Sequence, residues 1–313
     1  MHSFWFVWFY VSALAKRQEK PHNLYRIIIC DMMSKYKFVL EIRMDNRAIG
    51  VFDSGLGGLN AVKEIKNILK NEKIIYFGDT GRVPYGSKSE DTIRRFAMQD
   101  ANFLLSKNVK MIVAACGTVS SVVENFQDFL KVPYISVVKP TCYEARHKTK
   151  NGRIGIIGTA ATINTHSYKN RLEKKNPEFK VFEKACPLFV PLVESGRTDK
   201  DDIVVKEIVK EYMAPLKKEN IDTLILGCTH YPLLYSAIQN ELGENVTLIN
   251  SGKEAALYAK KVLEEKDLLS DRESLVQNEF YVSDTPESFE NLAGKFLGED
   301  LINQVKKIDI EEY

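Results

Sequence analysis

The stretch MIVAACGT at residues 111–118 is echoed by TLILGCT at residues 223–229. Each is a short apolar run that ends in glycine and hydroxyl residues, which predicts a buried strand. Each run delivers a cysteine and then a threonine at its carboxyl end. Ligands of α/β proteins bind beside the carboxyl ends of parallel strands. If two such strand ends face each other, Cys116 and Cys228 flank a single cleft from opposite sides.

Apolar runs of the same kind recur on both sides of these two stretches, separated by longer segments of helical period. This alternation is typical of βαβ units and a parallel sheet. We predict eight strands, at residues 48–52, 73–77, 111–115, 134–137, 153–157, 180–182, 223–226 and 246–249. Eight strands suit two sheets. The sequence therefore predicts an α/β fold of two pseudo-symmetric domains, each a mainly parallel sheet flanked by helices, with the active site in the interdomain cleft.

Turn-forming segments predict where the two domains meet. The Lys139-Pro140 pair and the KTKNG segment at residues 148–152 interrupt the pattern, and NSG at residues 250–252 interrupts it again. We expect a first domain of residues 44–139 plus 251–313 and a second domain of residues 140–250. The helices after residue 252 are expected to return to the first domain.

Residues 1–43 differ from the rest of the chain. Six of the first ten are aromatic, and the segment carries seven Lys or Arg against three Asp or Glu. We expect this leader to lie outside the working protein, with Met44 as the natural start, because a strand pattern follows Met44 at once. A secretory signal is the alternative, since Ala13-Leu14-Ala15 resembles a cleavage site, but no basic residue precedes the apolar stretch.

Composition excludes several classes of protein. The chain is 44% apolar and 27% charged, which is ordinary for a globular protein. Its net charge is +2, of which the leader carries +4, so the remaining residues are slightly acidic and lack the clustered cations of a nucleic-acid binder. No run of about 18 apolar residues could span a bilayer. We expect no nucleic-acid partner, no membrane partner and a small-molecule substrate.

The chain has five cysteines, an odd number without a CxxC pair, which favours a reducing compartment. Cys142 and Cys186 fit the ordinary role of small buried residues, and Cys30 in the leader is given no role. Cys116 and Cys228 could instead bind zinc with His230, although no fourth ligand is evident. A hydrolase with one cysteine and His230 as its base is also possible, but it leaves the second cysteine unexplained.

Two cysteines on opposite faces of one carbon suit removal of a proton from one side and its return from the other. This is racemisation without a cofactor. The working base is the thiolate, whose normal pKa lies near ~8.5, so neighbouring groups must assist it. Asp53 could bind the substrate ammonium or assist Cys116, and His230 could shuttle the proton of Cys228.

Three loops look suited to carboxylates. The SGLGG segment at residues 54–58 lies between a strand and a helix, where glycines let main-chain N–H groups approach an anion, although a tight turn would look the same. VPYGS at residues 83–87 is a rigid turn in which we expect Tyr85 and Ser87 to be exposed donors. GTAAT at residues 158–162 fits either a hydroxyl-lined loop or a helix N-cap.

Several motifs together resemble the cofactor-independent glutamate racemases of the aspartate/glutamate racemase superfamily, over about residues 49–252. The segments that carry the resemblance are FDSGLGG (52–58), GDTGRVPYG (78–86), AC (115–116), PLFVPLVE (187–194) and LGCTHYP (226–232).

The resemblance implies a role for each matched residue. Cys116 and Cys228 correspond to the paired acid and base, with Asp53, His230 and Glu194 as assisting residues. The positions that correspond to contacts with the glutamate carboxylates and ammonium are Asp53, Ser54, Tyr85, Gly86, Gly117, Thr118, Thr162, Thr229 and His230. The family makes D-glutamate for peptidoglycan in the bacterial cytoplasm, often as a homodimer, with no metal and no pyridoxal phosphate.

One position departs from the family. Its members usually read Cys-Asn-Thr where this chain reads Cys116-Gly117-Thr118. The main-chain N–H of Gly117 can still face a carboxylate, but the lost amide removes a hydrogen bond worth about 0.5–1.5 kcal/mol. We expect weaker activity, or a subgroup with altered substrate or regulation.

Two other functions remain open. One is racemisation of aspartate or a related acid, which would need less room beyond the α-carbon than the turn at residues 83–86 is expected to leave. The other is a non-catalytic protein that binds glutamate, for which Gly117 is the sole support.

Overall fold

The computed structural model describes residues 45–123, 125–272 and 277–313. The expected leader, including Cys30, and the expected start at Met44 lie outside these residues. Within them, no helix is both long enough and apolar enough to cross a membrane.

A sheet of six parallel strands forms the first half of the fold, in the order β10-β9-β2-β1-β3-β4. Its strands are β1 (Ile49–Asp53), β2 (Ile74–Gly78), β3 (Met111–Ala114), β4 (Tyr134–Ser136), β9 (Glu279–Val282) and β10 (Val305–Lys307). All residues of β1, β2 and β3 are buried, as expected for parallel strands covered on both faces.

A second sheet of four parallel strands has the order β6-β5-β7-β8. Its strands are β5 (Arg153–Gly158), β6 (Lys180–Ala185), β7 (Thr223–Leu226) and β8 (Thr247–Asn250). Parallel pairing within each sheet brings the carboxyl ends of its strands to one edge.

Helices connect and flank the strands. They are α1 (Leu59–Ile68), α2 (Glu90–Ser106), α3 (Gly117–Val122), α4 (Val138–Lys148), α5 (Ala160–Asn164), α6 (Ser167–Lys175), α7 (Phe189–Glu194), α8 (Ile203–Lys218), α9 (Tyr235–Leu242), α10 (Ser251–Glu265) and α11 (Pro286–Leu297). Short 3₁₀ turns occur at Tyr85–Ser87, Phe126–Phe129, Tyr231–Leu234 and Ile310–Glu312.

The predicted α/β fold with two parallel sheets is confirmed. Each of the eight predicted strands is present, with bounds that differ by up to three residues at one end. The expectation that the chain after residue 252 contributes helices was incomplete, because β9 and β10 in this region extend the first sheet beyond β2. These strands are four and three residues long, too short to give a clear alternating pattern.

The first sheet draws its strands from residues 49–136 and 279–307, and the second from residues 153–250. The domain boundaries at residues 139 and 251 stay a prediction. Between the two sheets, α10 packs against both α1 and α4. The carboxyl ends of β1 and β3 lie close to that of β7, since Gly57 faces Thr229 and Gly117 faces Gly227.

Candidate active site

Cys116 lies directly after β3 and caps the first turn of α3. Its side chain is buried, and its Sγ donates to Ser54 Oγ over 3.7 Å. Burial raises the pKa of the Cys116 thiol to about 12, and the nearby Asp53 carboxylate acts in the same direction. In the absence of substrate this cysteine is therefore held as a thiol.

Cys228 follows β7 and has a different set of neighbours. Its Sγ lies 3.9 Å from His230 Nδ1, and His230 Nε2 lies 2.9 Å from Glu194 Oε1. Burial alone would lower the pKa of His230, but the interactions with Cys228 and Glu194 outweigh it and raise that pKa to about 10. At neutral pH His230 is therefore protonated, so Cys228 lies next to an imidazolium, whereas Cys116 lies next to the Ser54 hydroxyl.

Asp53 ends β1 and is buried. Its Oδ2 accepts the main-chain N–H groups of Gly55 at 3.1 Å and Gly58 at 3.0 Å. Burial raises the pKa of Asp53, and His230 together with these N–H groups partly offsets that rise. Its Oδ1 is buried without a hydrogen-bond partner among the described residues. Buried polar atoms are rarely left unpaired, so this oxygen is available for a ligand.

The loop after β1 packs directly against the loop after β7. A Cβ on Gly57 would lie 2.2 Å from Thr229 Oγ1 and 2.5 Å from His230 Nδ1, so a side chain there would displace these two residues. Asn60 Nδ2 donates to the Thr229 carbonyl over 2.6 Å. Asn60 was not predicted from the sequence as a site residue, because nothing in its local pattern shows which loop it faces.

Gly117 brings the two cysteine segments together. A Cβ built on Gly117 would lie 2.1 Å from the Gly227 carbonyl oxygen and 3.7 Å from Cys228 Cα. The residue after Cys116 therefore contacts the residue before Cys228. The two thiols belong to adjoining segments at the junction of the two sheets, and the contact leaves no space for a side chain at position 117.

A row of hydroxyl groups lies beside the cysteines. Thr159 Oγ1 is 3.1 Å from Thr118 Oγ1 and 3.0 Å from Thr162 Oγ1. Gly86 packs on the same threonine, with its Cβ position 3.0 Å from Thr159 Cβ. Thr159 also caps α5 by accepting the N–H of Thr162. Thr159 was missed as a site residue, although its place at the end of β5 was a usable signal.

The expectation that Tyr85 offers an exposed donor is wrong. The side chain of Tyr85 is 1% exposed, and its hydroxyl donates to Asp79 and, over 3.1 Å, to Asp100. Arg82 binds the same Asp79 over 2.7 Å. The Tyr85 ring packs against the Phe96 ring, and burial of both rings stabilises the fold, so the Tyr85 side chain turns inward. Ser87 is exposed as predicted. A contact between Tyr85 and the substrate stays a prediction, and with the side chain buried it would have to be made by the Tyr85 main chain.

The remaining cysteines of the described chain behave as expected. Cys142 and Cys186 are both buried, and burial raises the pKa of the Cys142 thiol to about 12. In the part of the chain that the structure describes, no group of three or more His, Cys, Asp or Glu side chains is arranged to hold a metal ion.

Comparison with known proteins places this chain in a family. The model of the Asp/Glu/hydantoin racemase family matches residues 49–259. A glutamate racemase from Geobacter metallireducens is 41% identical over 266 residues, which are 85% of this chain and 97% of that protein.

Solved structures agree with this placement. The crystal structure of glutamate racemase isoform RacE1 from Bacillus anthracis has a TM-score of 0.81 and 39% identity, covering 85% of this chain and 98% of that one. The glutamate racemase of Francisella tularensis in complex with D-glutamate has a TM-score of 0.80 and 39% identity, covering 86% and 100%. The chain belongs to the Asp/Glu/hydantoin racemase family, among the glutamate racemases.

Proposed function

We propose that this protein interconverts L-glutamate and D-glutamate by proton transfer between two cysteines. The observation that carries the proposal is the meeting of the Cys116 and Cys228 segments through the contact of Gly117 with Gly227. Two thiols on opposite sides of one α-carbon can take a proton from one face and return one to the other. Names of relatives and the D-glutamate in the Francisella tularensis structure support glutamate as the substrate.

In each direction one cysteine acts as a thiolate and the other as a thiol. The α-C–H bond breaks as its proton moves to the thiolate, and the electron pair stays on the α-carbon. The second thiol then gives its proton to the opposite face, which forms the new C–H bond and leaves a thiolate. The roles exchange in the reverse direction, so the enzyme needs no external acid, base or cofactor.

The neighbours of the two cysteines suit these roles. The unpaired Oδ1 of Asp53 is an acceptor for the substrate ammonium. A cation at that place would lower the pKa of Cys116, because an opposite charge favours the thiolate. The Thr118 and Thr162 hydroxyls, the Thr229 hydroxyl and the main-chain N–H of Gly117 are donors for the two carboxylates.

Solvent isotope incorporation tests the proposal. In deuterated water the protein should convert L-glutamate to D-glutamate that carries α-deuterium, measured by chiral chromatography and mass spectrometry. Replacing either cysteine, as Cys116→Ala or Cys228→Ala, should reduce racemisation by at least about 10³-fold, because each face needs its own group. Cys142→Ala is the matched control, since Cys142 is also buried but has no part in the proton transfers, and it should keep activity.

The same assay separates the other functions. Conversion of aspartate in preference to glutamate would replace the substrate assignment. Binding of glutamate by calorimetry without α-proton exchange would indicate a non-catalytic protein, and retention of the original proton in D-glutamate would contradict the two-base mechanism. Racemisation should continue after treatment with a metal chelator and after treatment with a reagent that inactivates carbonyl-containing cofactors. The reason is that the two thiols supply both proton transfers.

The family resemblance supports a proposal for the cellular setting. We infer that the protein supplies D-glutamate for peptidoglycan in the cytoplasm, and that it acts as a homodimer. Reduced muropeptide synthesis on depletion of the protein, restored by added D-glutamate, would support the first inference. Sedimentation at twice the mass of the chain would support the second.

A further inference from the structure

We propose that Gly117 sets the separation of the two cysteines, because the absence of a side chain there lets the two strand ends approach closely. The proposal rests on the proposed function and names a positioning residue for that reaction. It reverses the simpler expectation that the missing amide is a defect which an asparagine would repair.

The space that a side chain at position 117 would need is occupied by main chain. A Cβ there would lie 2.1 Å from the Gly227 carbonyl oxygen and 3.2 Å from its carbonyl carbon. Ordinary C···O contacts are about 3.3–3.6 Å, so the oxygen would have to move by more than about 1 Å. A flexible side chain could turn away from such a clash, whereas a main-chain carbonyl moves with its strand end.

The Gly227 segment has little freedom to retreat. Its N–H donates to the Ile157 carbonyl over 2.8 Å, and Tyr168 packs 3.6 Å from the position of a Gly227 Cβ. On the other side of Cys228, Asn60 holds the Thr229 carbonyl. Both residues that flank Cys228 are therefore fixed by partners from other elements.

The Gly117 segment is fixed as well. Ser120 N–H donates to the Cys116 carbonyl over 3.0 Å, and the Ser120 hydroxyl donates to the Ala114 carbonyl over 3.1 Å. The same hydroxyl accepts the N–H of Val137 over 3.2 Å. A side chain at position 117 is therefore accommodated by moving the two sheet edges apart, which separates Cys116 from Cys228.

The expected kinetic effect of Gly117→Ala is a loss of turnover. A misplacement of about 1 Å in reacting groups can cost about 100-fold in rate, so we expect kcat to fall by about that factor. KM is expected to rise as well, because Thr118 and Thr229, two of the proposed carboxylate donors, follow strands of different sheets and would separate together with the cysteines. Gly117→Asn should lose at least as much, even though it supplies a side-chain amide that could bind a carboxylate.

Isotope exchange distinguishes a wider gap from general damage. When the second cysteine is too far away, the carbanion is reprotonated from the face that lost the proton. In deuterated water, the ratio of α-deuterium entering the starting isomer to net racemisation should therefore rise in Gly117→Ala. A variant that is only less stable would lose both rates together and leave this ratio unchanged.

Gly294→Ala is the matched control. Gly294 lies inside α11, and a Cβ there would meet only the end of the Asp300 side chain at 3.2 Å and a carbonyl at 3.9 Å. This variant should keep the kcat and the exchange ratio of the unchanged protein.

The outcomes decide between the inference and the proposed function. If the unchanged protein does not racemise glutamate, the proposed function fails. If it does, but Gly117→Ala keeps kcat within about threefold or Gly117→Asn raises it, the inference is wrong. Should Gly117→Ala not fold, a crystal structure of the unchanged protein decides: contact between Gly117 Cα and the Gly227 oxygen supports the inference, and a gap wide enough for a side chain overturns it.

Discussion

At the scale of single residues, the two cysteines differ in their access to solvent. His230 is buried, yet Glu194, which binds its Nε2, has 45% of its side chain exposed. A chain of contacts thus runs from Cys228 through His230 to water. Cys116 Sγ contacts the hydroxyl of the half-buried Ser54 and, among the described residues, has no histidine partner of this kind. We therefore expect protons to exchange with water more readily through Cys228 and His230.

Glu194→Gln tests this route. Loss of the carboxylate removes one of the interactions that raise the pKa of His230 to about 10. His230 should then lose its proton at lower pH and stabilise the Cys228 thiolate less. We expect kcat to fall by about tenfold and the alkaline limb of the pH–rate profile to shift to lower pH.

Glu183→Gln is the control for this variant. Glu183 binds His166 Nδ1 over 2.5 Å, so it forms a similar carboxylate–histidine pair outside the proposed site. It should leave the pH profile unchanged. An unshifted alkaline limb in Glu194→Gln would mean that the carboxylate does not act through His230.

Sequence reasoning at this scale was limited by partners that are distant in the chain. The placement of Asp53, Cys116, Cys228 and His230 at or after strand ends could be predicted from recognisable strands, and their roles stay predictions. The direction of the Tyr85 side chain could not, since it depends on Asp79 and Asp100, and Asp100 lies on a different element. The consequence of Gly117 was also hidden, because the carbonyl that meets it belongs to the other sheet.

At the scale of elements, an acidic side chain lies half-buried where three helices meet. Glu254 on α10 has Glu144 of α4 and Glu64 of α1 nearby, with Lys253 and Lys148 as partly compensating charges. Burial and the Glu144 charge raise the pKa of Glu254 to about 7. A raised carboxyl pKa means that ionisation is less favourable in the folded protein than in the unfolded one.

Glu254→Gln should therefore stabilise the protein at alkaline pH. Below the unfolded pKa of about 4.5 the glutamate is neutral in both states, so the variant should have no advantage there. The advantage should grow as the pH rises through about 7, and we expect it to reach about 1 kcal/mol after allowance for solvent screening. Urea denaturation at pH 5 and pH 8.5 measures it. An equal difference at both values would contradict the assignment.

The elements of the fold were largely predictable, for a clear reason. β1, β2, β3 and β7 are fully buried apolar runs, and such runs are visible in sequence. β9 was not found because its four residues gain strand geometry from pairing with β2, which is remote in sequence. Short strands depend on such pairing more than on their own composition.

At the scale of the whole molecule, the last residues connect to the turn that carries Tyr85. Ile310 is buried, and the Tyr313 ring packs edge-on against Phe103 with centroids 5.2 Å apart. Glu311 lies 3.2 Å from Arg82, which in turn binds Asp79. The tail formed by residues 309–313 therefore stabilises the loop after β2.

Removal of residues 309–313 should cost stability and substrate affinity. Loss of the buried Ile310 side chain alone is worth about 2 kcal/mol. The released Arg82 should loosen the turn at residues 83–87, so we expect a higher KM with a smaller change in kcat. Thermal unfolding and steady-state kinetics measure both effects. Glu312→Ala is the control, because Glu312 is an exposed residue of the same tail. This variant should change neither the thermal stability nor KM.

The discontinuous origin of the first sheet matters during synthesis. The strands of the second sheet, residues 153–250, leave the ribosome as one continuous segment and can pair at once. The outer edge of β2 stays unpaired until β9 has been synthesised, which happens only near the end of translation. A nascent chain therefore displays an open sheet edge for most of its elongation time, and such an edge is a place for chaperones to bind or for neighbouring chains to aggregate.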